Sequence, residues 1–318
     1  MPHSYTHQLI ADDVLPLAGG ITRPNDFYFG AQGGDFMYFC RFFAMSRVSP
    51  GKLLHRERIY EKFSAILECA RSRPETLDYA LGYVAHYAAD TVFHPFVYRR
   101  AEDVGGTAFD RRITHTFVER DLDAYFLLRR GIKVHSFRLP YARRDLDLGI
   151  VAAVMNAALG EQGLVLPEKD IEKAIGGFFL FLRGTYGKSG IGRRVFGVLA
   201  KTRIKPFRLV HSLYSRPFCD VRSLNLERRE WTFVGHKDIV RSDSADDLYV
   251  RALERSVQLI GVFRMCLESG HKLPRELFSL NFLTGLPEEY GDIDDAYGEG
   301  VDYSALLAEY LGNEKRRK

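Results

Sequence analysis

Residues 82–95 read GYVAHYAADTVFHP, and this segment places three metal-binding side chains at intervals of four residues. His86, Asp90 and His94 fall at positions i, i+4 and i+8, so a helix presents all three on one face over about two turns. The residues between them are mostly small, aliphatic or aromatic, as in a buried helix. Burying the three polar groups without partners would cost several kcal/mol of folding free energy. The segment therefore predicts a buried helix whose polar face binds a metal ion, because imidazole and carboxylate groups suit zinc.

A second segment carries the same combination of side chains. In RRITHTFVERDLDAY, His115 and Glu119 are four residues apart, and Asp123 continues the same helical face by another turn. Two helices that turn His and carboxylate side chains inward are a recurrent way to build a multinuclear metal site. Arg111 and Arg112 precede His115 by one turn, and they either contact a phosphate or neutralise carboxylates. The two helices therefore predict either a metal cluster or a hydrogen-bonded polar network between packed helices.

Helical periodicity dominates the rest of the chain. Predicted helices cover Ile59–Arg71, Thr76–Phe93, Ala108–Arg130, Leu146–Leu159, Glu168–Arg183, Asp246–Leu267 and Tyr303–Leu311. Convincing strand alternation and hairpin dipeptides are missing. The sequence therefore predicts an all-α fold, with a single multi-helix domain over residues 1–280. An acidic loop, a short helix and a basic tail follow over residues 281–318.

Composition narrows the class of protein. With 318 residues, 46% of them hydrophobic, the chain can build one large core. The four cysteines form no C-x-x-C pair, so they are expected to be buried apolar fillers. The sequence shows neither a secretory signal nor an apolar stretch of the ~20 residues that a membrane-spanning helix needs. We expect a cytoplasmic protein, peripheral to a membrane if it binds one, without an obligate protein partner.

One long segment is basic. The chain has no acidic residue between Ala174 and Cys219, and the Arg and Lys residues of segment 183–216 alternate with Phe, Leu, Val and Tyr. Such a segment predicts a surface for phosphates, nucleic acid or an anionic membrane. The alternative is a solvated helical face with no binding partner.

Further ligand-type residues precede the two metal-binding helices, and their order resembles that of a known family. The chain resembles the zinc-dependent phospholipase C family of bacteria. Its relatives include the single-strand-specific zinc nucleases and the N-terminal domain of phosphatidylinositol-glycan phospholipase D. The resemblance covers residues 1 to about 125, and it rests on THQLIADDVL with His7, YFGAQGGDF with Asp35, His55 in GKLLHRERIY, GYVAHYAADTVFHP and HTFVE.

The resemblance implies a cluster of two or three zinc ions, and it assigns the ligands by position. One ion would be held by Asp35, His55, His86 and Asp90. A second would be held by His94, His115 and Glu119. Asp90 would bridge to a third ion together with His7. Secreted members complete the third site with a processed N-terminal tryptophan, whereas the only tryptophan here is Trp231, and His3 is expected to take that place.

The implied activity is phosphodiester hydrolysis of the phospholipase C type, with a zinc-bound hydroxide attacking phosphorus. Asp35, in a flexible Gly30-x-x-Gly33-Gly34 loop, is expected to bind metal and to orient the attacking water, with Arg111 and Arg112 on the phosphate. Aromatic residues around that loop would pack an acyl chain, stack a base or belong to the core. The alternatives are a single-strand nuclease or small phosphodiesterase, or a non-catalytic metal-stabilised or membrane-surface binding protein. Eight ligands are too many for one structural zinc and too few to saturate three, which favours hydrolysis.

Overall fold

The structure is a computed structural model that describes residues 4–45, 49–186, 191–202 and 204–297. His3, the helix predicted over Tyr303–Leu311 and the basic tail lie outside the described residues.

Helices make up most of the described chain, which confirms the all-α prediction. The α-helices are α1 (Ser4–Ala18), α2 (Pro24–Gly30), α3 (Pro50–Arg56), α4 (Ile59–Ser72), α5 (Leu77–Val104), α6 (Ala108–Arg129), α7 (Leu148–Gly160), α8 (Glu168–Thr185), α9 (Ile191–Ala200), α10 (Lys205–Leu213), α11 (Ala245–Ser269), α12 (Arg275–Phe278) and α13 (Ile293–Ala296). Stretches of 3-10 helix cover Asp35–Met45, Pro74–Thr76, Val134–Ser136, Arg143–Asp145, Val221–Leu224 and Glu288–Tyr290.

The structure adds a small hairpin for which the sequence shows no convincing strand alternation. β1 (Trp231–Phe233) pairs antiparallel with β2 (His236–Arg241), and the register shifts between Thr232 and Phe233. Strands this short and irregular show no readable alternation, which is why the pattern does not reveal them. Trp231 packs edge-on against Phe96 of α5, with ring centroids 5.4 Å apart, so the hairpin is attached to the central helix.

α5 is the centre of the fold. Its residues from Asp78 to Val97 are all buried, and α1, α2, α6 and α11 pack around it. A helix that is buried on every side must be surrounded in this way, because no face of it meets water. The predicted end at Phe93 is wrong, since α5 continues through Pro95 to Val104. Packing on all sides compensates for the backbone hydrogen bond that Pro95 cannot make.

Two glycines allow α2 to approach α5 closely. A Cβ atom on Gly82 would overlap the carbonyl oxygen of Phe27, and one on Gly30 would overlap that of Tyr79. Glycine at both positions lets the two backbones touch. This contact fixes the position of the loop that follows α2 and carries Asp35.

α11 begins one residue before the predicted Asp246. Ser244 caps the helix by accepting a hydrogen bond from the amide of Asp247, whose carboxylate accepts in return from the Ser244 amide. This reciprocal pair satisfies two helix-terminal donors. Cys40 and Cys266 are buried as predicted, whereas Cys69 and Cys219 are partly exposed.

The segment after residue 272 packs onto the helical core. Leu273, Phe278, Phe282, Leu283 and Ile293 are buried in the same hydrophobic cluster as α5. The domain boundary at residue 280 stays a prediction, but residues 281–297 contribute side chains to the core. In the described part of the chain, no helix is both long and apolar enough to cross a membrane.

Candidate metal centre

The eight sequence-predicted ligands converge on one region of the core. In chain order they are His7 on α1, Asp35 after α2, His55 on α3, His86, Asp90 and His94 on α5, and His115 and Glu119 on α6. All are buried except His115, which is partly exposed. Four helices and one loop therefore bring together residues that are up to 112 positions apart in sequence, counted from 7 to 119.

The first group consists of Asp35, His55 and His86, whose ligand atoms lie within 4.8 Å of one another. The His55 Nε2 atom is 3.4 Å from Asp35 Oδ1 and 3.3 Å from His86 Nε2. Asp90 Oδ2 closes the group at 3.2 Å from His86 Nε2 and 3.7 Å from His55 Nε2. Four ligand atoms thus face one small volume.

Asp90 faces a second group with its other oxygen. Its Oδ1 atom is 3.2 Å from His7 Nε2, and His7, His86 and Asp90 have ligand atoms within 4.8 Å of one another. The two oxygens of one carboxylate therefore point to two neighbouring groups. Asp90 has the geometry of a bridging ligand.

The third group lies between α5 and α6. Glu119 Oε1 is 2.9 Å from His115 Nε2 and 3.6 Å from His94 Nε2. All three ligand atoms lie within 4.8 Å of one another. His94 Nδ1 is 3.7 Å from Asp90 Oδ2, so the third group adjoins the bridging carboxylate.

The donor atoms fit zinc. Zn–N and Zn–O bonds of about 2.0–2.2 Å in a tetrahedron place neighbouring ligand atoms roughly 3.3–3.6 Å apart, close to most of the separations above. The Nε2 atoms of His55 and His86 face each other at 3.3 Å, where two lone pairs would repel without a proton or a cation between them. Asp90 Oδ2 is buried and has no hydrogen-bond partner. A cation bound between these ligand atoms would compensate the buried carboxylate oxygen.

Backbone carbonyls orient two of the imidazole rings. His55 Nδ1 donates to the Gly51 carbonyl at 2.6 Å, and His94 Nδ1 donates to the Phe282 carbonyl at 2.8 Å. A carbonyl can only accept, so Nδ1 carries the proton and Nε2 presents its lone pair to the site. This is the usual outer arrangement around metal-binding histidines.

The site combines imidazoles that favour the neutral form, an ionised carboxylate and a His94 ring that favours the protonated form. Burial lowers the pKa of His86 and of His115, which favours the neutral ring that binds metal. Burial opposes ionisation of Asp90, but His86, His94 and a hydrogen bond from His7 hold its pKa well below the ordinary value. Burial also opposes the charged form of His94, yet Asp90 and Glu119 raise its pKa to about 9. Metal binding there would release a proton.

The glycine-rich loop is packed tightly, which changes the interpretation of its glycines. Gly33 has φ +58°, and a Cβ atom there would overlap the imidazole ring of His86. A Cβ atom on Gly34 would lie 3.1 Å from His55 Cε1. The glycines therefore serve close approach to two ligands, and the expectation of a flexible loop gives way to this packing.

A pocket of about 470 Å³ opens onto the first and third groups. It reaches Asp35, His55, His94 and His115, with His86 and Asp90 behind them. The rest of the pocket lining mixes polar and apolar side chains. These residues are Tyr38, Phe39, Lys52, Arg56, Tyr98, Ala101, Ala108, Arg111, Arg112, Thr116, Phe181, Leu209, Leu213, Leu283, Ile293, Asp294 and Tyr297. No local signal in the sequence marks the lining residues from Phe181 to Tyr297 as part of a site. The same holds for Phe282, which lies behind His94.

The predicted phosphate-binding arginines both line this pocket. Arg111 stacks on Tyr297 with its guanidinium carbon 4.3 Å from the ring centroid, and it donates to the Gly106 carbonyl at 3.1 Å. Arg112 is exposed. Asp123, in contrast, belongs to none of the three ligand groups and accepts hydrogen bonds from Thr6 and Tyr186. It anchors the start of α1, the helix that carries His7.

Among the comparisons with known proteins, only the one with protein-family models gives a match. No curated protein and no solved structure matches the chain significantly. Residues 4–158 match the family model of the zinc-dependent phospholipases C, and this segment contains all eight residues of the candidate metal centre. Over these residues, slightly less than half of the chain, the sequence is similar to the zinc-dependent phospholipase C family.

Proposed function

We propose that the protein is a metal-dependent phosphodiester hydrolase that cleaves phospholipids in the manner of a phospholipase C. The observation that carries the proposal is the Asp90 carboxylate, which faces two ligand groups at once and lies directly behind an open pocket. A purely structural zinc is enclosed by protein ligands, whereas a catalytic one keeps a position open to the substrate. The match to the zinc-dependent phospholipase C family model supports the hydrolase class.

Different residues of the pocket have different roles in the proposed hydrolysis. Bound zinc supplies Lewis acidity, which activates water and neutralises charge on the phosphate. Asp35 lines the pocket with Oδ1 3.4 Å from His55 Nε2, so its carboxylate is placed to hold and orient the attacking water. Arg112 at the pocket surface is placed to contact a phosphate oxygen, and Arg111 lies beside it.

The lining supports a lipid substrate. Phe39, Phe181, Leu209, Leu213 and Leu283 give the pocket an extended apolar wall beside the ligand groups. Such a wall suits the glycerol and the first part of the acyl chains, while the polar end of the pocket suits the phosphate.

Metal analysis combined with substrate turnover tests this function. We expect two or three zinc ions per purified chain, turnover of phosphatidylcholine and of bis-p-nitrophenyl phosphate, and loss of both activities in EDTA that added zinc restores. Single-stranded DNA serves as the competing substrate. Faster turnover of DNA than of lipid would contradict the phospholipase assignment, and a protein purified without metal would contradict the hydrolase itself.

Asp35→Asn should separate metal binding from turnover. The amide oxygen can still approach a metal, but the neutral side chain no longer accepts a proton from water. We expect most of the zinc to remain while kcat falls by about 10²-fold or more. Asp26→Asn on α2, a buried carboxylate paired with Arg23, is the matched control and should keep its specific activity. An unchanged kcat in Asp35→Asn would remove Asp35 from the mechanism.

A further inference from the structure

The exposed face of α9 is apolar, and it belongs to a helix with no buried side chain. Ile191, Val195 and Val198 are 62%, 49% and 64% exposed. Their spacing of i, i+4 and i+7 places them on one helical face. Single exposed apolar residues are ordinary on protein surfaces, but three along one face form a continuous stripe.

The opposite face of α9 explains why the helix is held in place without being buried. Phe196 stacks on Tyr214 with ring centroids 5.9 Å apart, and a Cβ atom on Gly197 would lie 3.2 Å from His211. α9 therefore packs on α10 through its inner side. Among the described residues, the apolar stripe on the other side of α9 stays exposed.

α10 connects this stripe to the candidate metal centre. Arg208 of α10 pairs with Asp110 of α6 at 2.7 Å, and α6 carries His115 and Glu119. Leu209 and Leu213 of α10 form part of the pocket wall. Leu180 on α8 is 70% exposed and precedes Phe181, another residue of that wall. Exposed apolar side chains thus occur on the elements that border the pocket.

The charged residues beside the stripe indicate which kind of surface it would bind. Arg194 and Lys201 are exposed beside the stripe, and the chain has no carboxylate between Ala174 and Cys219. An apolar stripe beside these cations is complementary to an anionic lipid surface, with the apolar side chains among the acyl chains and the cations at the headgroups.

We propose that α9 is an interfacial helix that docks the protein on anionic membranes and so brings the pocket to the lipid surface. The docking does not depend on catalysis. Its consequence for turnover rests on the proposed phospholipase function, since only a lipid substrate would reach the pocket from the bilayer.

Two double variants with the same change in charge test the docking. Val195→Asp with Val198→Asp alters the stripe, whereas Val165→Asp with Val250→Asp alters two valines that are 70% and 53% exposed elsewhere. Full-length proteins are sedimented with vesicles of phosphatidylcholine and phosphatidylglycerol in EDTA, which prevents hydrolysis. We expect the wild type to bind and the stripe variant to bind about tenfold or more weakly. The control should stay within about twofold of the wild type.

Turnover provides the second readout. The stripe variant should hydrolyse bis-p-nitrophenyl phosphate at the wild-type rate, which shows that it is folded, and should lose activity on vesicles. Absence of wild-type binding, or equal losses in both variants, would overturn the proposal. So would self-association of the wild type through this stripe in the absence of lipid binding. Binding as expected without any lipid turnover would leave the docking intact and reject the phospholipase function.

Discussion

Asp90→Asn should remove metal from the centre and abolish hydrolysis. Asp90 Oδ1 lies 3.2 Å from His7 Nε2, and Oδ2 lies 3.2 Å from His86 Nε2, so one side chain serves two groups. An amide has a single acceptor oxygen and cannot bridge. We expect roughly half or more of the bound zinc to be lost. We also expect the variant to lose several kcal/mol of transition-state stabilisation. This loss should lower kcat/KM by about 10³-fold.

The measurement pairs elemental analysis with turnover of a soluble phosphodiester, and the same helix provides the control. Asp78 is also a buried carboxylate of α5, but it accepts hydrogen bonds from Thr22 and the Arg23 amide at the helix start. Asp78→Asn should lower stability while the folded protein keeps its zinc and its activity. If Asp90→Asn retained a full complement of zinc, the bridging role would be wrong even if activity fell.

The arrangement of ligands on α5 and α6 follows directly from helical geometry. His86, Asp90 and His94 repeat every four residues, as do His115 and Glu119, so each set must share one helical face wherever the helix packs. Helical periodicity likewise identified α4, α7, α8 and α11 to within a few residues at each end. These features depend on neighbours close in sequence, which is why the sequence alone predicts them.

Long-range packing explains what the sequence does not show. The Phe282 carbonyl that orients His94 and the residues Ile293 and Tyr297 of the pocket come from a segment about 190 residues beyond α5. A backbone carbonyl has no residue-type signal, and nothing local indicates that this segment folds over the metal groups. His7, Asp35 and His55 belong to the same class, because only the resemblance to a family, and no periodicity, placed them with α5.

Gly33→Ala should damage both the fold and the metal centre. Gly33 has φ +58°, where an L-residue costs about 1–2 kcal/mol, and its Cβ atom would overlap the ring of His86. His86 is fully buried among His7, His55 and Phe282, so the ring cannot swing away. Overpacking of this kind adds about 1–3 kcal/mol, and we expect a total loss of about 2–5 kcal/mol in the free energy of unfolding.

Gly163→Ala isolates the backbone part of that loss. Gly163 has φ +73° and no heavy atom within 4 Å of a Cβ built there, so only the cost of about 1–2 kcal/mol remains and the zinc content should not change. Chemical denaturation and metal analysis of both variants make the comparison. Equal losses of stability, with full zinc in Gly33→Ala, would show that His86 does not lie against this loop.

A double-mutant cycle separates the clash from general disruption. In a His86→Ala background the ring that Gly33→Ala would strike is gone, so the added methyl group should cost no more than it does at Gly163. Zinc content should stay low in that background whichever residue is at position 33, because His86 contributes to two of the three ligand groups. If the stability penalty of Gly33→Ala were the same with and without the ring, the strain would come from the backbone alone. The glycine would then have no part in shaping the metal centre.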